Sequence, residues 1–235
     1  MSPNYRLLFG LSILSFFVVA FIAPRTIFSN STANSKPTIV AGMNIDPPID
    51  LAAAKVTGEQ TIVLAGGCFW GVEAVFEHLK GVSNVVSGFS GGTAATAHYD
   101  TVSNGTTGHA EAVKITYDPR QISLGKLLKI YFLIAHDPTQ INRQSPDNGT
   151  QYRSAIFFAN PEQEKVAKAY IDRLNQSRIF SEPIATRLVA LDKFYAAEDY
   201  HQNFIVRNPN YPYVVVNDRP KLNLLRQQFA DLIKI

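Results

Sequence analysis

The chain has 235 residues, 46% hydrophobic and 17% charged, a length that accommodates one leader segment and one domain with a proper core. Its formal net charge is +3, yet Arg6 and Arg25 lie in the first 33 residues, which hold no acid; 22 Lys and Arg less these two leave 20 against 19 Asp and Glu. A body this close to neutral lacks the basic footprint of a nucleic-acid binder, and a single cysteine, Cys68, excludes an intramolecular disulfide.

In chain order, the first feature is Arg6 followed by Leu7 to Ala23, an uncharged and mainly apolar run of 17 residues. As a helix it would span roughly 26 Å at ~1.5 Å per residue, against a bilayer core of about 30 Å. It is long for the apolar core of a signal peptide and slightly short for a membrane span. Residues 1–24 therefore read as a signal peptide, with Ser31-Thr-Ala33 as a cleavage site, or as an uncleaved anchor; a buried soluble helix is the third reading. The first two place the protein outside the cytoplasm, periplasmic or otherwise extracytoplasmic, or tethered to a membrane. Residues 25–57 are rich in Ser, Thr, Asn and Pro and read as a poorly ordered linker. The folded body is then 58–235.

From Thr61 strands and helices alternate. Thr61–Ala65 is a short buried strand, and Phe69, Val72, Val75, Phe76 and Leu79 then recur at helical spacing until Lys80-Gly81. Val82–Phe89 and Ala110–Tyr117 read as strands. Ser123 caps a helix predicted to reach about Ala135. A strand is predicted over Tyr152–Phe158. Asn160-Pro-Glu-Gln163 supplies a cap, a proline at the first helical position and a glutamine three residues after the cap, starting a helix to about Gln176. Ile184–Leu191 reads as a strand, Ala196–Val206 as a helix and Lys221–Ile233 as a last amphipathic helix. The mixture indicates an α/β or α+β two-layer domain. Two long polar segments, 90–109 and 136–151, are where a site would be built.

Four segments carry candidate chemistry. In Leu64-Ala-Gly-Gly-Cys-Phe-Trp-Gly-Val-Glu73 the thiol of Cys68 stands at the start of a helix, where unpaired N–H groups and the positive dipole end favour thiolate. The bland alternative is a buried, inert cysteine. In Tyr99-Asp-Thr-Val-Ser-Asn-Gly-Thr-Thr-Gly-His-Ala-Glu111, Glu111 immediately precedes an apolar strand. It is expected to be partly buried, with a raised pKa suited to proton donation, unless it is a solvated strand-edge carboxylate. His109 there reads as a structural hydrogen-bonder, since no spaced cluster of metal ligands accompanies it. The segment from His136 to Ser154 is dense in hydrogen-bonding groups and suits recognition of a polar substrate. In Phe194 to Phe204, Glu198 and His201 fall about one helical turn apart; they either pair only with each other or line a site, and support for a site is the preferred reading.

Taken together, these segments resemble the peptide methionine sulfoxide reductase A family, through Gly67-Cys-Phe-Trp-Gly71, Thr107-Gly-His-Ala-Glu111, Gly149-Thr-Gln-Tyr-Arg-Ser154 and Ala197-Glu-Asp-Tyr-His-Gln202, from about Thr61 to about Pro220. The resemblance implies an α+β fold: a two-layer α/β sandwich with a ferredoxin-like core and a mixed, mostly antiparallel sheet. It implies Cys68 as nucleophile, Glu111 as proton donor to the sulfoxide oxygen, Tyr99 and Tyr152 as hydrogen-bond donors to that oxygen, and Asp147 as a shaper of the site. Phe69 and Trp70 would hold the substrate methyl group, with His109, Glu198 and His201 in support. It implies the S epimer, oxidised proteins and free methionine sulfoxide as substrates, a monomer, and no bound cofactor or metal. An external thiol, from thioredoxin, glutaredoxin or glutathione, would reset Cys68.

Three departures stand out. The C-terminal region that carries resolving cysteines in many relatives is here Tyr211-Pro-Tyr-Val-Val-Val216. Gly88-Phe-Ser-Gly-Gly92 has Phe89 where the family commonly has tyrosine, and Ser145 stands where glycine is common. Two other activities fit the residues on their own: a Cys-His acyl hydrolase using His109 or His201, and a module that binds methionine-containing peptides without turnover.

Overall fold

The computed structural model describes residues 45–51 and 58–234, and the apolar leader lies outside them. The expected linker is represented only by 45–51, which is not loose: Lys129 Nζ meets Asp46 Oδ1 at 2.7 Å, Gly125 N–H donates to Asp50 at 2.9 Å, and the Tyr170 hydroxyl donates to the Ile45 carbonyl at 2.8 Å.

The strands are β1 (Gln60–Ala65), β2 (Val82–Ser90), β3 (Ala110–Tyr117), β4 (Arg143–Gln144), β5 (Asp147–Asn148), β6 (Ala155–Phe158), β7 (Arg187–Ala190) and β8 (Phe194–Ala196). The helices are α1 (Phe69–Glu77), α2 (Tyr99–Val102), α3 (Leu124–Ile130), α4 (Pro161–Ser177), α5 (Phe204–Arg207) and α6 (Arg219–Gln228). Six strands form one sheet in the order β7-β6-β1-β3-β2-β8, and β4 and β5 form a separate two-stranded ribbon. All neighbours in the large sheet are antiparallel except β6 and β7, so the sheet is mixed.

β1 lies in the middle because both its faces are apolar. Ile62 and Leu64 point into the main core with Val75, Phe76, Tyr131 and Tyr170. Val63 and Ala65 face a smaller cluster with Ala110, Ala112, Ala155 and Phe157. Fully burying each large aliphatic contributes about 1.5–3 kcal/mol, which fixes the register. α4 begins as the sequence predicts: Asn160 Oδ1 accepts from Gln163 N–H at 2.9 Å, and the Gln163 side chain accepts from Ala159 N–H at 2.8 Å.

Three predicted elements differ. The strand expected from Tyr152 begins only at Ala155, because Thr150–Tyr152 is a 3₁₀ turn that carries the Tyr152 ring out of the sheet. The helix expected to reach Ala135 leaves α geometry at Tyr131 and continues as a π-helical turn to Ala135. The helix expected over Ala196–Val206 is three pieces: the end of β8, a 3₁₀ turn Asp199–His201, and α5. Gln202 explains the break. Its side chain accepts from Ser87 N–H at 2.9 Å and donates to the Ser87 and Ala197 carbonyls, imitating a strand beside β2, and Asn203 follows with φ of 53°.

Candidate active site

Cys68 occupies the N-cap position of α1, immediately after β1. Gly67 turns the chain there with φ of 89°, and a side chain at that position would collide with Gln144 from β4. The thiol is 9% exposed. Burial, with the Glu111, Asp218 and Asp147 carboxyls nearby, pushes it well above its ordinary value, and the Trp70 N–H opposes this only in part. The depressed thiol expected at a helix start is therefore corrected: one N–H does not outweigh desolvation beside several carboxyls.

Glu111 comes from β3, opposite Phe89 of β2, and is 2% exposed. Its Oε2 accepts from Phe69 N–H at 3.0 Å, so the acid is tied to the first turn of α1, one residue after the thiol. Burial pushes its carboxyl up to about 8, against the pull of that N–H and with a smaller push from Asp147. Glu111 thus holds a proton at neutral pH. Tyr99 in α2 and Tyr152 in the 3₁₀ turn are half-buried phenols. Burial first, then Glu111, raises both, Tyr99 to about 12, and the field of Cys68 reaches each of them. Both are hydrogen-bond donors at neutral pH. Asp147 in β5 accepts a hydrogen bond from the Tyr213 hydroxyl; burial raises its pKa, while that bond and Lys221 work against the rise.

The aromatic wall is built on Phe69 and Trp70. Phe69 is 1% exposed and lies between Phe89 at 5.8 Å and Tyr99 at 6.4 Å. Trp70 is partly open, stacks on Phe204 at 3.7 Å with an interplanar angle of 7°, and meets Tyr213 edge-on at 6.0 Å. Its Nε1–H donates to His201 Nδ1 at 3.1 Å, which leaves the His201 proton on Nε2. His201 also lies 4.2 Å from the Tyr99 ring, and burial lowers its pKa, so it is neutral.

Glu198 does not meet His201 across a helical turn. Its Oε1 accepts from Tyr99 N–H at 3.1 Å, with His98 at 3.8 Å, and so anchors α2. His109 bonds the Thr93 carbonyl through Nε2 at 3.0 Å. Among the described residues neither His109 nor His201 hydrogen-bonds Cys68, the pairing a Cys-His hydrolase would need: each ring binds elsewhere through one nitrogen. The two polar segments are stapled together: Gln151 donates to the Ser103 carbonyl at 2.9 Å and Arg153 to the Gly108 carbonyl at 2.8 Å. Phe89, the departure from tyrosine, is fully buried behind Phe69.

The buried thiol, the carboxyl, the two phenols and the aromatic wall all lie within the stretch of chain that a known family covers. The family model for peptide methionine sulfoxide reductase matches residues 60–233. The chain belongs to the peptide methionine sulfoxide reductase family. This oxidoreductase is 56% identical over 191 residues to peptide methionine sulfoxide reductase MsrA 2 of Synechocystis, covering 80% of this chain and 89% of that protein. It is 53% identical to MsrA 2 of Mesorhizobium japonicum, over 74% of this chain and 90% of the other. Among solved structures, methionine sulfoxide reductase A of Corynebacterium diphtheriae aligns with a TM-score of 0.56 at 33% identity, covering 71% and 83% of the two chains. Reduced Mxr1 of Saccharomyces cerevisiae aligns with 0.60 at 32%, covering 65% and 87%.

Four residues around the candidate site escape the sequence reading: Tyr213, Phe204, Asp218 and Lys221. Phe204 ends the fourth segment, but the helix predicted there hides its stacking on Trp70. Tyr213 and Asp218 lie on a π-helical stretch, Val214–Asp218 and the residue before it, where a 3.6-residue period assigns them no face.

Proposed function

We propose that the enzyme reduces methionine-S-sulfoxide, free or in polypeptides, with Cys68 as nucleophile and Glu111 as acid. The observation that carries this is the buried Glu111 carboxyl, still protonated at neutral pH and hydrogen-bonded to the helix turn that bears the thiol. The Cys68 sulfur attacks the sulfoxide sulfur while Glu111 passes a proton to the oxygen and the Tyr99 and Tyr152 hydroxyls donate to it. The sulfur–oxygen bond of the substrate breaks, the oxygen finishes on Cys68 as sulfenic acid, and the thiol proton restores Glu111. Methionine leaves, reduced by two electrons. A first external thiol then condenses with the sulfenic acid, releasing water, and a second frees Cys68. A dithiol of the thioredoxin or glutaredoxin kind, or glutathione, supplies both, since the chain has no second cysteine.

Phe69 and Trp70 receive the methyl group through dispersion and sulfur–aromatic contact. Separate places for methyl and oxygen select one configuration at sulfur. The order β6-β1-β3-β2, joined through α1 and α3, supports a ferredoxin-like core. Arg6 and the run Leu7–Ala23 support an exported or membrane-tethered enzyme. The test supplies the full chain with dithiothreitol and each epimer separately. The S form is consumed and the R form persists; equal turnover of both, or of neither, overturns the assignment.

A further inference from the structure

Asp218 ends the π-helical stretch that runs directly into α6, and its side chain makes no capping bond to the backbone of that helix's first turn. It is 0% exposed. Its Oδ1 lies 3.3 Å from Lys221 Nζ, and its Oδ2 is buried with no hydrogen-bond partner among the described residues. The carboxyl is instead turned onto the first turn of α1. A β-carbon added to Gly71 would overlap Asp218 Oδ1 and come within 3.1 Å of Lys221 Nζ. Gly71 is thus kept side-chain-free by an ion pair seated against the turn that Cys68 begins.

We propose that Asp218, held by Lys221, is a positioning residue of the reductase site. Its carboxylate seats the Cys68 turn through Gly71 and keeps the resting sulfur in its thiol form. This rests on the reading of Cys68 as nucleophile. An anion near the N-terminal end of a helix neutralises the partial positive charge that would otherwise favour a thiolate there. Burial raises the Asp218 carboxyl above the ordinary aspartate value and the Lys221 ammonium works against that rise; ionised, its orphaned oxygen exerts a strong field in a dry site, because no donor absorbs it. The benefit is chemical. The thiolate is the form that wandering oxidants attack, whereas the net reaction converts Cys–SH and sulfoxide into Cys–SOH and sulfide with no net proton exchanged. A resting thiol therefore costs the overall stoichiometry nothing.

The groups whose charge or dipole acts on the sulfur, and their partners, lie on several elements. They are the Trp70 N–H of α1, Glu111 of β3, Asp147 of β5, Tyr99 and Tyr152, Tyr213 before the π-helical stretch, and the Asp218–Lys221 pair. Of these, Asp218 alone is both fully buried and paired with an ammonium.

The test reads the pH profile of Cys68 alkylation by iodoacetamide in the full chain without sulfoxide, so it stays separate from whether the enzyme turns over. Asp218→Asn keeps the shape and removes the charge. Its alkylation midpoint should move down by about one pH unit, speeding alkylation roughly tenfold on the rising limb. Lys221→Arg keeps the wild-type profile. Lys221→Gln strands the carboxyl, which takes up a proton, and shifts the midpoint in the same direction by a smaller step. If Asp218→Asn does not fold, the two Lys221 variants decide. Profiles that coincide with wild type in Asp218→Asn and Lys221→Gln, with melting temperature alone reduced, reduce Asp218 to a packing residue and overturn the proposal.

Discussion

At the scale of the residue, the side chain whose proton matters most is Glu111. Its carboxyl sits at about 8 because burial outweighs the one N–H it accepts. A general acid works only while protonated, so the rate of methionine release should be flat below this value and fall as pH rises through about 8. Glu111→Gln accepts the Phe69 N–H equally well but has no proton to give. Single-turnover release should drop by about 10²–10⁴-fold, and the alkaline limb attributable to Glu111 should vanish. Wild-type rates in that variant would remove Glu111 from the role. The same proton bears on stability. The native group binds it more tightly than the unfolded chain, so its contribution is fully present below the unfolded value and is lost as pH rises through about 8. Glu111 was legible because acid, glycine and strand follow one another locally. Asp218 was not, because its significance lies in Gly71, far away in sequence.

At the scale of the element, the segment after β8 decides the shape of the aromatic wall. Its residues have apolar spacing compatible with a helix, but Gln202 bonds to both faces of the Ser87 peptide, and the buried Glu73 of α1 accepts from Asn203 N–H at 3.1 Å. These tertiary bonds override local propensity, which is why the sequence alone misplaces His201 and Phe204. Once the helix is broken, Phe204 can lie flat on Trp70. Phe204→Ala should raise KM for a sulfoxide peptide several-fold with little change in the single-turnover rate, since a stacked aromatic pair contributes about 0.5–1.5 kcal/mol and does not touch the breaking bond. A fall in the single-turnover rate at unchanged KM would show that the stack serves chemistry rather than binding. By contrast β1, β3 and α4 could be read almost to the residue. β1 and β3 declare themselves by buried branched side chains and α4 by its Asn160 cap and Pro161.

At the scale of the whole molecule, sulfur is scarce. The two methionines, Met1 and Met43, both precede the body, and Cys68 is the one cysteine. The chain therefore stores a single two-electron oxidation and then waits. Mixed with excess S-sulfoxide and no reductant, it should release one methionine per chain and stop, and Cys68→Ser should release none. Continued turnover without added thiol would disprove the dependence on an outside partner. Only the resemblance bore on strand order, because nothing local says that β1 inserts between β3 and β6; the apolarity of both its faces indicates only that it is interior.

Trp70 is also the only tryptophan in the chain. It begins two residues after the reactive sulfur, shares its indole N–H with His201 and lies face to face with Phe204. All of the protein's indole fluorescence thus originates in the wall proposed to receive the substrate. Occupancy of the pocket and oxidation of Cys68 should each change the colour or yield of that single emitter. The reductase can accordingly be followed through its cycle by its own light, with no label attached.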